Sequence, residues 1–454
     1  MRSIPKLLVA LFVCALAIAV QAQTVSNVQI DYKETMLKNG LRVIMAEDHS
    51  APVIAIAVNY NVGSRNERPG RTGFAHLFEH MMFKGSENVG TGEHFILVFN
   101  NGGTMNGTTN EDRTVYFEAL PSNQLDLALF LEADRMRSLA ITKENLDNQR
   151  NAVQEERRLG VDNQPYGKSE EIQQQLLYDN FAYKHSTIGS MEDLNAASIE
   201  DVAAFFKTYY APNNAVLSLV GDFDTKDGLS RIKKNFESIP RQPTPAAVDM
   251  TEPEQQAERR TSVDDVLARV PRIDLAFKAV PGNTADFYAL QVLSAALQGG
   301  QSSRLYQKLV KEKQMVTTVG GFMDEKRGIG ALYSFANLTP GAKTADVEAA
   351  IYDEIERLKK EPIADWELQK AKNSTRRGFI NNLQSSLSRA TTLSQYAVYY
   401  NDPDLINMRL HKVAAVTKED VQRVANKYLR DTNRTVVITM PKAQAKGETA
   451  AQGQ

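Results

Sequence analysis

The layout of this chain occurs twice, and that repeat constrains the fold more than any other feature. "VIAIAVNYNVGSRNERPGRTGFAHLFEHMMFKG", beginning at Val53, reads as strand, Pro-Gly loop and a helix closing on glycine. "RIDLAFKAVPGNTADFYALQVLSAALQGGQSSRLY", beginning at Arg272, follows the same order. Later, "SIEDVAAFFKTYYAPNNAVLSLVGDF" from Ser198 is echoed by "TKEDVQRVANKYLRDTNRTVVITM" from Thr417. Each of these is a capped helix, a turn and an apolar strand. A unit used twice must bury its own apolar face twice. Each copy therefore reads as a sheet with helices packed on it, an α+β unit of about 200 residues. At 454 residues the chain is also long for one hydrophobic core.

Between the copies lies "SIPRQPTPAAVDMTEPEQQAERR", residues 238–260, which is rich in proline and polar residues and has no apolar period. It reads as a linker. The expected units are residues 23–237 and 261–442, followed by a small, polar, disordered tail over 443–454.

The N-terminus stands apart. Arg2 and Lys6 precede an apolar run from Leu7 to Val20, which closes on small residues around Ala22. Residues 1–22 read as a secretory signal peptide, with an uncleaved membrane anchor as the alternative. Cys14, the single cysteine, lies inside this segment. Val13 before it is too bulky for a lipoprotein cleavage site. The mature chain then has no disulfide and relies on core burial. No other stretch is apolar for long enough to span a bilayer. Export to a bacterial periplasm is the expected destination. A net charge of −2 points away from nucleic acid and from a polybasic membrane surface.

Local signals place the elements. Lys38-Asn39-Gly40 predicts a hairpin turn, and the β-branched, alternating runs Leu41–Met45 and Val53–Val62 beside it read as strands. "SNQLDLALFLEADRMRSL" is helical, with Leu125, Leu129 and Ala133 on one stripe. "TKENLDNQRNAVQEERRLG" is a second helix, with Thr142 as its N-cap.

Two of the six histidines, His76 and His80, sit four apart in "GFAHLFEHMMFKG". That spacing puts both imidazoles on one helix face, where they are able to bind one Zn²⁺. Glu79 is offset along the helix, placed to take a proton from a water activated at the metal. Surface histidines on an amphipathic helix are the bland alternative. Aligning Gly85 with Gly299 sets Leu290, Leu293 and Ser294 opposite His76, Glu79 and His80. The same helix is thus buildable without histidine, so these residues are not there for the fold. A catalytic zinc needs a third protein ligand and an open position. "NAVQEERR" offers Glu155 and Glu156, of which only one can face the metal. His94 and His185 read as structural or surface histidines.

The H-x-x-E-H order, "NGLRVIMAEDHSAPV", "GGTMNGTTNEDRTVYFE" and "SSRLYQKLV" together resemble the pitrilysin/insulinase-type zinc peptidases, or inverzincins, over residues 30–442. The resemblance implies one Zn²⁺ per chain held by His76, His80 and a glutamate at the end of a Val-x-x-Glu pattern. Val153 to Glu156 fits that pattern and selects Glu156, 76 residues after His80, with Glu155 as the alternative. It implies Glu79 as general base; Asn106 is the candidate contact to the substrate backbone, with a purely structural turn or strand-end residue as the competing reading. A peptide substrate would add to the edge of the "GGTMNGTTNEDRTVYFE" strand.

Three positions, in two places, depart from the family pattern. Gln149 stands where a second glutamate is usual, behind the ligands. Val310 and Thr317 stand where an Arg/Tyr pair that grips the substrate carbonyl is usual; Arg304 and Tyr306 lie nearby but out of register. The resemblance further implies half of a clamshell, closed by a second chain. A heterodimer with a related subunit lacking the zinc motif is expected, with a homodimer as the alternative. A non-catalytic scaffold, or a module that binds peptide with little turnover, competes with the peptidase reading.

Overall fold

In a computed structural model the structure describes residues 28–442, so the expected signal peptide and C-terminal tail lie outside the described residues. Eleven strands are described: β1 (Lys33–Met36), β2 (Arg42–Glu47), β3 (Val53–Tyr60), β4 (Thr104–Thr109), β5 (Thr114–Pro121), β6 (Ala215–Gly221), β7 (Arg259–Asp265), β8 (Arg272–Lys278), β9 (Val316–Met323), β10 (Ala331–Leu338) and β11 (Arg434–Pro441). They form two sheets, ordered β1-β2-β6-β3-β5-β4 and β7-β11-β8-β10-β9. Without β1 the two orders are the same under the repeat. Each sheet has one parallel pair at the same place, β2 with β6 and β7 with β11. The fold is α+β, built twice.

Asn39-Gly40 forms the predicted turn, and the strand that enters it is β1, which is not among the strands read from the sequence; Gly40 sits at φ +90° with its N–H donated to the Leu37 carbonyl at 2.9 Å. β3 is buried on both faces, which is why it reads as an unbroken apolar run. Ile54, Ile56 and Val58 point into one core with the helices Phe74–Met81 and Leu125–Arg137. Ala55 and Ala57 point the other way, into a separate core. The partners in that second core are Leu393, Tyr396 and Ala397 of the helix Ser386–Tyr400, which belongs to the other half. Small side chains on this face let that helix approach the strands. The exchange is reciprocal. The helix Gly167–Leu177 of the first half packs on β8 and β11 of the second sheet. Its Ser169 meets Thr439 at 2.6 Å, and Leu177 joins Ala276 and Ala331 in a small core.

The halves are tied further by the loop after β9. Lys326 pairs with Glu111 at 2.7 Å, and the Arg327 N–H donates to Asp112 at 2.8 Å. The segment 238–260 is irregular up to Arg259, as its composition predicts, but it is pinned along its length. Glu252 accepts from Lys278 at 2.5 Å, and Gln255 donates to the Arg434 carbonyl at 2.9 Å.

Candidate functional site

The motif helix spans Phe74–Met81. Its apolar side, Leu77, Phe78 and Met81, is buried in the first core. That orientation turns His76 and His80 toward the helix Lys143–Arg157, which packs against it. Thr142 caps this second helix by accepting from Asn145 N–H at 3.2 Å, as predicted. Its last turn delivers Glu156. The Glu156 Oε2 lies 3.6 Å from His76 Nε2 and 3.3 Å from His80 Nε2. The two imidazole rings meet edge to face, with centroids 4.8 Å apart. Glu155 points elsewhere and is bonded by Arg158 at 3.0 Å.

These separations fit a zinc ion. Two donors each ~2.0–2.1 Å from a tetrahedral metal are about 3.3–3.4 Å apart. All three donor atoms fall within 4.8 Å of one another. Two imidazole nitrogens and one carboxylate leave a fourth position open. Burial, then the neighbouring His80, pushes the His76 ring down to about 4, against the pull of Glu156, so it is a neutral donor near neutral pH. The bond from His80 holds Glu156 below the usual carboxylate range.

Glu79 is buried beside these groups and bonded to strand β4. Its Oε2 accepts from the Thr109 hydroxyl at 2.6 Å. Burial raises its carboxyl above the ordinary value, and Thr109 and His80 oppose that rise. Its stem lies over Gly107, where an added Cβ would sit 3.0 Å from Glu79 Cγ and 3.2 Å from Phe83 and Tyr116. Thr109 and Gly107 did not emerge from the motif. The one signal for Gly107 is a glycine inside a strand, which marks close approach of another group.

Among the described residues β4 pairs only with β5, which leaves its other edge free next to the motif helix, to which Thr109 bonds through Glu79. Asn106 is exposed on it, with its Oδ1 accepting from Gly107 N–H at 2.9 Å. Gln149 is buried two turns before Glu156 and donates to Asn148 at 2.6 Å, not to a donor of the site. Val310 packs against the second core, and Thr317 is exposed on β9. Arg304 is held by both oxygens of Glu367, at 2.7 and 2.8 Å.

His94 is not an isolated histidine. Its donor atom and carboxylate oxygens of Glu118 and Glu132 also lie within 4.8 Å of one another, all buried. Here the Arg135 guanidinium already bonds both oxygens of Glu132 and lies 4.6 Å over the Tyr116 ring. The cluster thus carries its own cation, and burial pushes His94 down to about 2. We read it as an internal ion pair under the sheet. His185 bonds Glu67 instead of joining the three donors.

Fold and site together define a class of metallopeptidase. Residues 42–190 match the family described as insulinase (peptidase family M16), and residues 196–375 match its companion, the peptidase M16 inactive domain. The chain belongs to this family. It is 32% identical over 424 residues to the zinc protease PqqE of Helicobacter pylori, covering 90% of this chain and 93% of that one. A crystal structure of a protease from Helicobacter pylori, also 32% identical, superposes with a TM-score of 0.87 over 91% of this chain and 100% of that one. The periplasmic protease PqqL from Escherichia coli, 18% identical, shares the fold with a TM-score of 0.72; the match covers 93% of this chain and 50% of that one. The chain is thus built like half of a clamshell. Among the described residues, no helix is long and apolar enough to cross a membrane.

Proposed function

We propose that this chain is an exported zinc-dependent endopeptidase that hydrolyses short or unfolded peptides. The observation that carries the reading is the convergence of His76, His80 and Glu156 within 4.8 Å, with buried Glu79 alongside and a free strand edge next to the motif helix. His76, His80 and Glu156 would hold the metal. Bound there, zinc would supply the positive charge needed to polarise the scissile carbonyl and to lower the pKa of a water toward ~7. Glu79 takes one proton from the attacking water as the C–O bond forms. It then gives that proton to the amine nitrogen as the C–N bond breaks. Thr109 holds one oxygen of Glu79, leaving the other for the proton. The substrate lies along β4 as an added strand, with Asn106 contacting its backbone.

Val310 and Thr317 supply neither a guanidinium nor a phenol for the developing oxyanion. A related subunit without the zinc motif would bring these donors and close the clamshell; a second copy of this chain is the alternative. The relatives named zinc proteases and the half-clamshell fold support this reading, as does the periplasmic location in the name of one structural neighbour. A scaffold role is the competing account, resting on the same two residues.

The test is hydrolysis of a quenched-fluorescent peptide library by residues 23–454, with zinc measured in the same sample. It is run alone and with a co-exported homologue. Glu79→Gln is expected to cut turnover at least ~10²–10⁴-fold while zinc stays at one per chain. A sample with neither zinc nor activity, with or without the partner, would leave the scaffold.

A further inference from the structure

The motif helix is eight residues long, and its N-terminus has no side-chain cap of its own. It starts from Gly73 at φ +83°, and its first N–H groups need acceptors from elsewhere. Glu67 supplies them. Its Oε2 accepts from Gly73 N–H at 2.9 Å and its Oε1 from Ala75 N–H at 2.7 Å. The Glu67 side chain is 0% exposed. A carboxylate so buried persists only with donors on it, and the positive end of a helix favours it there. A third contact comes from His185, whose Nε2 lies 3.0 Å from Glu67 Oε2.

His185 is itself held from both sides. Its Nδ1 lies 2.7 Å from the Phe181 carbonyl, and its ring stacks on Phe181 with centroids 4.2 Å apart. A carbonyl only accepts, so Nδ1 carries a proton and Nε2 shares one with Glu67. The short helix Phe181–Lys184, which His185 caps at its C-terminal end, is anchored in turn. Tyr183 donates to Asp112 at 2.9 Å and accepts from Gly328 N–H of the second half at 2.8 Å.

We propose that Glu67 and His185 form a buried clasp that positions the motif helix, making both of them positioning residues for metal binding and proton transfer. The proposal rests on the peptidase reading of the site. Ala75, held by Glu67, directly precedes His76, and Glu79 and His80 follow within one turn. Loss of the clasp lets the helix start shift, which spreads the three donors and moves Glu79 relative to Thr109. Neither residue is one of the three donors or lies on β4.

The experiment compares His185→Ala, His185→Gln and Glu67→Gln in the mature chain with its partner, if one is required. Zinc affinity is measured by competition with a chromophoric chelator, alongside kcat and KM. His185→Ala is expected to weaken zinc binding about 10–100-fold and lower kcat with KM little changed. His185→Gln, whose amide is able to donate to Glu67, restores most of both. His185→Ala with wild-type zinc affinity and kcat, showing only a lower melting temperature, overturns the clasp. If Glu67→Gln fails to fold, the two His185 variants carry the test, since His185 does not touch the helix backbone. If the wild-type chain binds no zinc, the peptidase reading fails, and amide exchange at Ala75 decides the clasp. Faster exchange in His185→Ala supports it; unchanged exchange refutes it.

Discussion

Replacing Thr109 by valine removes one hydroxyl and keeps the shape of the side chain. In the structure that hydroxyl gives its proton to Glu79 Oε2 at 2.6 Å. Thr114 lies 3.2 Å away, but its own proton goes to the Val62 carbonyl at 3.0 Å, so it is not a replacement donor. A hydrogen bond to a charged group contributes about 1.5–3 kcal/mol. If that bond orients Glu79 as it takes the proton, its loss lowers kcat by about 10–150-fold. His76, His80 and Glu156 keep their contacts, so the zinc content should equal that of the wild type. Thr109→Ser retains the hydroxyl and is expected to stay within about threefold of wild type. The assay is steady-state hydrolysis of the best library peptide, with metal content measured on each sample. Wild-type kcat in Thr109→Val would refute the reasoning. Equal losses in the serine and valine variants would refute it too, because they would implicate the methyl packing instead of the hydroxyl.

Further predictions test the frame around the site. Leu393 is fully buried between the second half's helix and the first sheet. Leu393→Ala should cost about 2–5 kcal/mol, read by urea unfolding, and should destabilise the first sheet along with the second half. Asp286 is pushed up by burial, but Tyr428, Lys427 and Arg423 outweigh this and draw its carboxyl down to about 2. A depressed folded pKa stabilises above the unfolded value and loses that contribution as pH falls through about 2. Asp286→Asn should therefore lose about 1 kcal/mol at pH 7, allowing for solvent screening, with the gap closing between about pH 4 and pH 2. Zinc at a thousandfold excess over its Kd should raise stability by about 4 kcal/mol, seen as a higher Tm. His80→Ala should abolish that increase and leave the metal-free Tm nearly unchanged.

The repeat, the Asn-Gly hairpin, the Thr142 cap and the paired histidines were all legible along the chain, because each depends on residues close in sequence. Periodicity set the strands, and local chemistry set the turns and caps. The i, i+4 spacing alone put His76 and His80 on one face. The geometry that brings a carboxylate to within 3.6 Å of both imidazoles comes from packing between two helices, and from it Glu156 faces them while Glu155 does not. The roles of Thr109, Glu67 and His185 were silent in sequence because they are contacts across the sheet and around the helix start. The reciprocal exchange of helices between the halves was equally hidden. A run such as β3 records that both faces are buried, but not which segment covers them. The sequence by itself thus determined the repeat, the order of its elements and the types of donor residue. Only tertiary structure decided which half shields which sheet and how the donors converge, because those outcomes depend on shape complementarity between surfaces far apart along the chain.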